Sequence, residues 1–458
     1  MKIVLTTHLF LPDFFAGTEI LTFETARELK RLGHEVHVVT GFPGRNDLPD
    51  EERFDRYEYD GIPVERFHYA PVPMGEQWNA NEAEFNNRFF ARHFRAYLED
   101  LKPDVVHFFH LGRLSASAID VCHDLGIPAV MTPTDFWLIC PTFQLRLTDN
   151  SICPGPDRFG VKCLRHVAAI SQPTAKRAIL ECLPDRLVEI LMMANGIAAR
   201  RRGRPPVPFL EAYATRQAFL RERMNLLDRM IVPTRLMERI LVEHGLSPAK
   251  VHFSRYGIDT SHIAPRVKGG GGGVLRIGFI GTLYDPKGAH VLVEAVRSLG
   301  RDVPCEVKMY GDPGLFPEYV EKLKRLMAGD PRMTLCGTFA KERIGEVFEG
   351  IDVLVVPSVW YENTPLVIYA AQAAACPVIA SDLGGMAEVV SHGVNGLLFE
   401  AGDAAGLAAA LKKLIDDRQE LRRLSEHARR PKTIARYVEE LLAIYDDVMA
   451  SKGRQRFA

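Results

Sequence analysis

Pro357-Ser358-Val359-Trp360-Tyr361-Glu362-Asn363-Thr364-Pro365-Leu366-Val367-Ile368-Tyr369-Ala370-Ala371-Gln372-Ala373-Ala374-Ala375-Cys376-Pro377-Val378-Ile379-Ala380-Ser381 decides the architecture. The apolar run at 353–356 reads as a buried strand. The chain then turns polar through Glu362, takes helical spacing from Leu366 to Ala375, and meets a second apolar run at 378–380. Pro365 stands near the first helical turn, where its missing N–H costs nothing. Strand, helix and strand in this order imply a right-handed crossover and a parallel sheet. Asp382-Leu383-Gly384-Gly385-Met386-Ala387-Glu388 follows directly.

The same rhythm extends outward. Residues 275–280 and 305–310 read as further strands, with helices at 289–299, 318–327, 344–348 and 404–415. In the first half, strands are expected at 2–7, 36–40, 105–109 and 129–132, with helices near 20–32, 88–101 and 116–125. The stretch 136–226 breaks the pattern and reads as an insertion. The five glycines at 269–273 read as a flexible connector. The expected organisation is a first domain over 1–258, a linker over 259–273, a second domain over 274–428, and a final segment over 429–458 whose amphipathic helix crosses back.

The chain has 458 residues, enough for two cores. Lys and Arg number 57 against 58 Asp and Glu, a formal net charge of -1 that argues against bulk nucleic-acid binding. No apolar run reaches the roughly 18 residues of a membrane span. The first residues turn polar too soon for a signal peptide, so a cytoplasmic protein is expected. Eight cysteines are then thiols or metal ligands rather than a disulfide framework.

In open parallel sheets, ligands sit beyond the carboxyl ends of strands, where helix N-termini offer free N–H groups. Three loops fit. Gly17, after the first strand, can let backbone approach a phosphate, or can simply make a turn. Lys287 lies in Gly281-Thr282-Leu283-Tyr284-Asp285-Pro286-Lys287-Gly288, just before a helix, and can neutralise phosphate or be an ordinary surface lysine. Glu362 precedes the helix that opens after Asn363, Thr364 and Pro365, with the N–H groups of Thr364, Leu366 and Val367 at its start.

Taken together, these segments resemble the retaining glycosyltransferases of family 4, with the GT-B fold of two facing Rossmann-like domains and a cleft between them. Strand, Pro-Ser, Glu, helix, Pro-Val, strand and Gly-Gly-x-x-Glu occur in the family's order. The likeness extends to Gly393-Val394-Asn395-Gly396 and to Gly17-x-Glu19 with Gly33-His34-x-Val36. It implies an α/β enzyme that moves a hexose-type sugar from a nucleotide-sugar donor to a saccharide or lipid-linked acceptor, with no cofactor needed for transfer.

The resemblance also implies roles. Glu362 would stabilise the developing oxocarbenium charge. Lys287, Gly17, Thr282 and the N–H groups around Asn363, Thr364, Pro365 and Leu366 would hold the diphosphate. His110, in Asp104-Val105-Val106-His107-Phe108-Phe109-His110, would lie beside the donor sugar, and Asp135 at the next strand end would meet the acceptor. There are departures: Ala370 stands where the family has a ribose-binding Glu, Ala375 where glycine is usual, and Thr282 where an arginine often stands.

Two further features lie in the insertion. Cys140, Cys153, Cys163 and His166 make a C-x12-C-x9-C-x2-H set that could hold a structural zinc, or be packing residues in a loop. The run Arg200-Arg201-Arg202-Gly203-Arg204, beside Leu187, Ile190, Leu191 and Met193, could meet a membrane surface peripherally or be a solvated charge run. Rival readings are a sugar-nucleotide-modifying enzyme on the same fold and a degenerate binding protein without catalysis.

Overall fold

The computed structural model describes residues 1–171, 182–202, 207–269 and 273–456. The chain divides into two compact α/β units. The first comprises Met1–Pro233, Met237–Arg255 and Tyr437–Ala458, the second Thr234–Leu236 and Tyr256–Arg436.

The first unit runs β1 (Lys2–Thr7), α1 (Gly17–Arg31), β2 (Glu35–Pro43), β3 (Phe54–Tyr59), β4 (Ile62–Tyr69), α2 (Arg88–Leu101), β5 (Val105–Phe108), α3 (Ser117–Leu125), β6 (Ala129–Met131), α4 (Val161–Ser171), α5 (Asp185–Arg202), α6 (Pro208–Leu226) and β7 (Arg229–Val232), then after α7 (Arg235–Glu243) ends its sheet with β8 (Val251–Phe253). The strand order is β3-β4-β2-β1-β5-β6-β7-β8. Every pairing is parallel except β3 with β4. Central β1 and β5 are buried along nearly their whole length, as helices on both faces demand. The β3–β4 hairpin falls in a polar, Pro-rich stretch that predicts no strand. Its cross-strand pairs Arg56–Glu65 (2.6 Å) and Arg66–Asp55 (2.7 Å) are charged, so apolar periodicity could not reveal it.

The second unit runs β9 (Leu275–Ile280), α8 (Ala289–Ser298), β10 (Cys305–Tyr310), α9 (Pro317–Met327), β11 (Met333–Gly337), α10 (Ile344–Glu349), β12 (Val353–Val356), α11 (Leu366–Ala373), β13 (Val378–Ser381), α12 (Gly384–Val389), β14 (Gly396–Phe399), α13 (Ala404–Asp416) and α14 (Arg418–Glu426). Its sheet has the order β11-β10-β9-β12-β13-β14 and is parallel throughout. Ile277, Val307, Val353 and Val355 from the strands pack with Leu292, Val296 and Leu407 from the helices.

The glycine run predicts a boundary at 259–273, and the structure places it earlier. The chain leaves the first unit at Arg255–Tyr256. By residue 268 it is already embedded in the second: Lys268 donates its ammonium to the Phe348 carbonyl (2.6 Å) and its N–H to Ser425 Oγ (2.8 Å). Composition marks freedom of the backbone; it does not show that the residues just before have bound their polar groups elsewhere. The return comes at Arg436–Tyr437, inside the last helix, α15 (Ile434–Arg456), rather than at 429. Tyr445 on that helix is fully buried and bonds His107 Nδ1 of β5 (2.6 Å).

In the insertion, Val188 and Met192 of α5 pack on Val161 and Leu164 of α4, a small satellite core. The side chains of Arg200–Arg202 and residues 203–206, hence most of the arginine run, lie outside the described residues.

Candidate active site

In the second unit, β12 is buried at all four positions and is followed by Pro357. Beyond it Glu362 is 6% exposed. Its Oε1 accepts three hydrogen bonds, from Lys287 Nζ (2.6 Å), Ser358 Oγ (2.8 Å) and Trp360 Nε1 (2.9 Å). The Lys287 ammonium also lies 5.6 Å from the centre of the Trp360 ring. Such a buried, charge-assisted cluster fixes the carboxylate in one orientation.

Local sequence explains the convergence. The turn Asp285–Lys287 ends at Gly288, whose φ is +71°, and a Cβ there would meet the Pro357 carbonyl oxygen at 1.9 Å. Glycine therefore lets the Lys287 loop lie against the loop after β12, and Val359 N–H bonds the Pro286 carbonyl (2.9 Å). Lys287, expected to hold diphosphate, is thus bonded to Glu362. Thr282, beside it in the same loop, gives its carbonyl to Tyr284 N–H (3.0 Å).

The Gly-Gly-x-x-Glu stretch is decoded in the same way. Gly385 N–H donates to the Glu362 carbonyl (2.9 Å), and a Cβ on Gly385 would sit 1.1 Å from the Asn363 carbonyl oxygen. Glu388 accepts from the N–H groups of Arg235 and Leu236 (both 2.8 Å), which belong to the same unit. Asn363 and Thr364 are buried, and Thr364 Oγ1 donates to the Asn363 carbonyl (2.8 Å). Pro365 is the N-cap of α11 and Leu366 its first residue, so the first N–H groups of the helix open beside Glu362. Ala370 is 5% exposed on α11 and presents no polar group. Its neighbour Gln372 gives its amide to the Val389 carbonyl (3.0 Å).

In the first unit, a second cluster gathers at the ends of β1, β5 and β6. His110 is 2% exposed. Gly112 N–H donates to its Nδ1 (2.9 Å), so Nδ1 is unprotonated and Nε2 carries the hydrogen, which it donates to Asp135 Oδ2 (2.8 Å). A Cβ on Gly112 would meet His110 Cε1 at 2.7 Å, which is why glycine stands there. Asp135 Oδ1 accepts from Trp137 N–H (2.8 Å), so each of its oxygens already holds a donor. Asp135, expected to meet the acceptor, is therefore arranged to orient His110. His107, three residues earlier, is fully buried between Tyr445 and Thr132, and burial pushes its imidazole down to about 3: a neutral core histidine.

His8, which no sequence motif marks, and Glu19, which the sequence names only within Gly17-x-Glu19, complete this cluster. The His8 ring lies tilted against that of His110, with 4.1 Å between centroids, and His8 Nε2 lies 3.5 Å from Glu19 Oε1. Glu19 is 1% exposed, and burial raises its carboxyl to about 7 against the pull of backbone N–H groups, His110 and Arg113. It stands in the first turn of α1, after an exposed Gly17 with open space around it, and its signal in the sequence was the Gly17-x-Glu19 motif.

The cysteine loop is arranged otherwise than a metal knuckle. Among the described residues, no three His, Cys, Asp or Glu side chains are grouped to hold a metal ion, Cys140, Cys153, Cys163 and His166 included. Cys140 Sγ instead contacts Thr142 Oγ1 (3.2 Å), Cys153 Sγ the Gly155 carbonyl (3.9 Å), and burial pushes the Cys163 thiol up to about 12.

Comparison with known proteins places this geometry. The profile of Glycosyltransferase Family 4 matches residues 15–262, and that of Glycosyl transferases group 1 matches residues 275–417. The amylovoran biosynthesis glycosyltransferase AmsK of Erwinia amylovora is 24% identical over 88% of this chain and 89% of its own length. A D-inositol 3-phosphate glycosyltransferase of Nocardia farcinica is 31% identical over 44% of this chain and 48% of its own. Among solved structures, Anabaena HepE in complex with UDP and glucose superposes with a TM-score of 0.62 at 17% identity, covering 97% of this chain and 99% of that one. Sucrose-phosphate synthase of Thermosynechococcus elongatus superposes at 0.61 and 18% identity, over 100% and 99%.

Proposed function

The chain belongs to glycosyltransferase family 4 and is a nucleotide-sugar-dependent glycosyltransferase of the GT-B fold, and from that premise we propose that it transfers a hexose with retention to a saccharide acceptor, free or lipid-linked. The observation that carries the reading is the Glu362 carboxylate, held on one oxygen by Lys287, Ser358 and Trp360 at the mouth of α11. A fixed anion there stabilises positive charge developing on a sugar ring. The Lys287 ammonium and the first N–H groups of α11 meet the negative charge of a departing diphosphate. Ala370 implies that the ribose is held by a group other than the family's carboxylate.

HepE has been crystallised with UDP-glucose, which makes that donor the first to try. The test is product analysis by mass spectrometry over a panel of nucleotide sugars, followed by proton NMR of the new glycosidic bond. An anomeric configuration opposite to the donor's would refute retention, and no transfer from any nucleotide hexose would refute the donor class.

A peripheral contact with an anionic lipid surface belongs to the same reading. No helix among the described residues is long and apolar enough to cross a membrane. On α5, Leu187, Ile190 and Leu191 are 40%, 55% and 46% exposed while Val188 and Met192 face the satellite core. These three share one helix face, the pattern of an interfacial helix. Flotation with vesicles containing phosphatidylglycerol, lost in a Leu187→Glu, Ile190→Glu double variant, is the expected result. Equal recovery of both proteins from the lipid fraction would dismiss it.

A further inference from the structure

We propose that Arg113 is a binding subsite for an oxyanion, a carboxylate or a phosphate carried by the sugar acceptor. The proposal rests on the reading above that the acceptor is a saccharide, and it assigns that saccharide a negative charge.

Arg113 stands in the loop after β5, at the carboxyl end of a strand in the first unit's sheet, where open parallel sheets take their ligands. The loop is firmly held. Leu111, Leu114 and Ser115 are fully buried, Ser115 N–H donates to the Leu111 carbonyl (2.6 Å), and Ser115 Oγ accepts from Asn87 N–H (2.8 Å). Between these residues Arg113 is only half-buried. Its backbone is left-handed, with φ +63°, as is that of Ser115, with φ +92°. Neither residue is glycine, so the loop carries strain that its burial and hydrogen bonds sustain. The strained turn sets the course of one side chain. A Cβ on Gly41 of β2 would stand 2.7 Å from Arg113 Cβ, 3.4 Å from Arg113 Cδ and 2.8 Å from the His8 carbonyl oxygen. Thr40 pairs with Thr7 in register, so Gly41 lies just beyond that pair. Glycine there leaves the channel in which the arginine stem crosses the ends of β1 and β2.

The guanidinium at the end of that stem is given no anion by its own chain. Among the described residues Arg113 makes no hydrogen bond and no ion pair, although the charge of Glu19 reaches it. Other sequestered arginines of the unit are paired: Arg53 with Asp50 (3.1 Å), Arg66 with Asp55 (2.7 Å) and Arg216 with Glu84 (3.3 Å). A guanidinium kept from full hydration, fixed in place and left unpaired is suited to an anion that a ligand brings, and its planar fork matches two oxygens of a carboxylate or phosphate.

The neighbouring atoms point to a ligand independently. Thr7, the last residue of β1, is fully buried, and Glu19 is 1% exposed. Thr7 Oγ1, His8 Nδ1 and Glu19 Oε2 are all buried without a hydrogen-bond partner. Buried polar atoms in native proteins are met by some partner, and three unmet at one strand end call for a polar molecule. A hydroxyl and an imidazole can donate and a carboxyl oxygen can accept. The corner therefore suits the hydroxyls of a sugar, while Arg113 takes the anion the sugar bears.

Calorimetry on the full chain tests this with glucuronate, glucose 1-phosphate, glucose and UDP as probes, on the wild type, Arg113→Gln and Arg113→Lys. The expected result is saturable binding of a charged sugar, weakened by about tenfold or more in Arg113→Gln. Arg113→Lys should lose less, since it keeps the charge without the fork. Glucose should bind more weakly than either charged sugar and equally to all three proteins, and UDP should bind all three alike. The tighter of the two charged sugars tells whether the anion is a carboxylate or a phosphate. Equal affinity of wild type and Arg113→Gln for the charged sugars, or no binding of either by the wild type, overturns the proposal. Loss of UDP affinity in Arg113→Gln also overturns it, by assigning the guanidinium to the donor's diphosphate. No transfer is read, so the result stands apart from whether the chain transfers a hexose with retention.

Discussion

The two clusters solve the problem of a buried ionisable group in opposite ways. Around Glu362 the charges are kept and paired: a carboxylate, an ammonium at 2.6 Å and two neutral donors on one oxygen. Around His110 the charges are largely removed: His8 is held neutral, Glu19 is raised to about 7, and His110 is used as a neutral donor and acceptor. A paired anion suits a role in stabilising positive charge; a neutral imidazole with both nitrogens assigned suits a role in orientation. The first arrangement should be sensitive to loss of charge and the second to pH.

The largest effect should come from cutting the charged cluster. Glu362→Gln preserves shape and removes the anion, and transfer should fall by roughly 10²–10³-fold, the usual scale for one preorganised electrostatic group. Melting should shift little, since an amide oxygen can still accept from Ser358 and Trp360. Activity within a few-fold of wild type would dissolve the contrast between the clusters. Next in size is Gly288→Ala. The residue has φ +71°, and the new methyl would overlap the Pro357 carbonyl at 1.9 Å. Backbone strain and the clash together should cost roughly 2–4 kcal/mol, read as a lower melting temperature, and should weaken nucleotide binding by displacing Lys287. An unchanged melting curve would mean that the two loops do not depend on each other.

The contrast also accounts for what was readable in the sequence. The Glu362 cluster lies almost wholly within one contiguous stretch, 357–388, where residue types and spacing carry the meaning; only Lys287 comes from elsewhere. The alternation of strand and helix was equally plain, because buried parallel strands are unbroken apolar runs. The His110 cluster is assembled from 8, 19, 110, 112 and 135, and its logic lies in hydrogen-bond direction and burial. His110 and Asp135 could be named from their strand ends, but that Asp135 orients His110 needed coordinates. His8 carries no spacing signal at all. The β3–β4 hairpin was hidden by its charged pairs, and the boundary at Arg255 by a glycine run that lies beyond it.

A third prediction concerns the neutral cluster and has a definite sign. Glu19 has its folded pKa raised, from 4.5 to about 7. The folded protein therefore binds the Glu19 proton more tightly than the unfolded chain does. Stability is at its fullest below about pH 4.5 and falls as pH rises from there through 7, by about 3 kcal/mol. Glu19→Gln mimics the protonated form and should escape that loss. The variant should melt several degrees above the wild type at pH 8, and the gap should close toward pH 5. A gap of the opposite sign at pH 8 would show that the carboxylate is stabilised by its neighbours, as in the Glu362 cluster, and the comparison would collapse.

The smallest effect belongs to a residue that both readings of the chain single out. Ala375 stands where the family has glycine, and the structure gives the reason. Helix α11 ends at Ala373 with Ala374 as its C-cap, and Ala375 follows with φ +53°. Cys376 N–H bonds the Ala371 carbonyl (2.8 Å) and Ala375 N–H that of Gln372 (3.1 Å). This is the Schellman termination, which places its first residue beyond the cap in the left-handed region. Alanine pays a steric cost there of about 1 kcal/mol, and glycine does not. Against this, glycine gives the unfolded chain more freedom to lose, worth roughly 0.4–1 kcal/mol in the other direction. The expected net is a stabilisation of a few tenths of a kcal/mol for Ala375→Gly, a rise of about a degree in the melting of the second unit. The termination leads straight from α11 into β13, so the variant should leave nucleotide affinity unchanged while the helix end tightens. A fall in melting temperature would mean that the alanine methyl makes contacts outweighing its strain, and that the end of α11 is held by packing rather than by its two terminal hydrogen bonds.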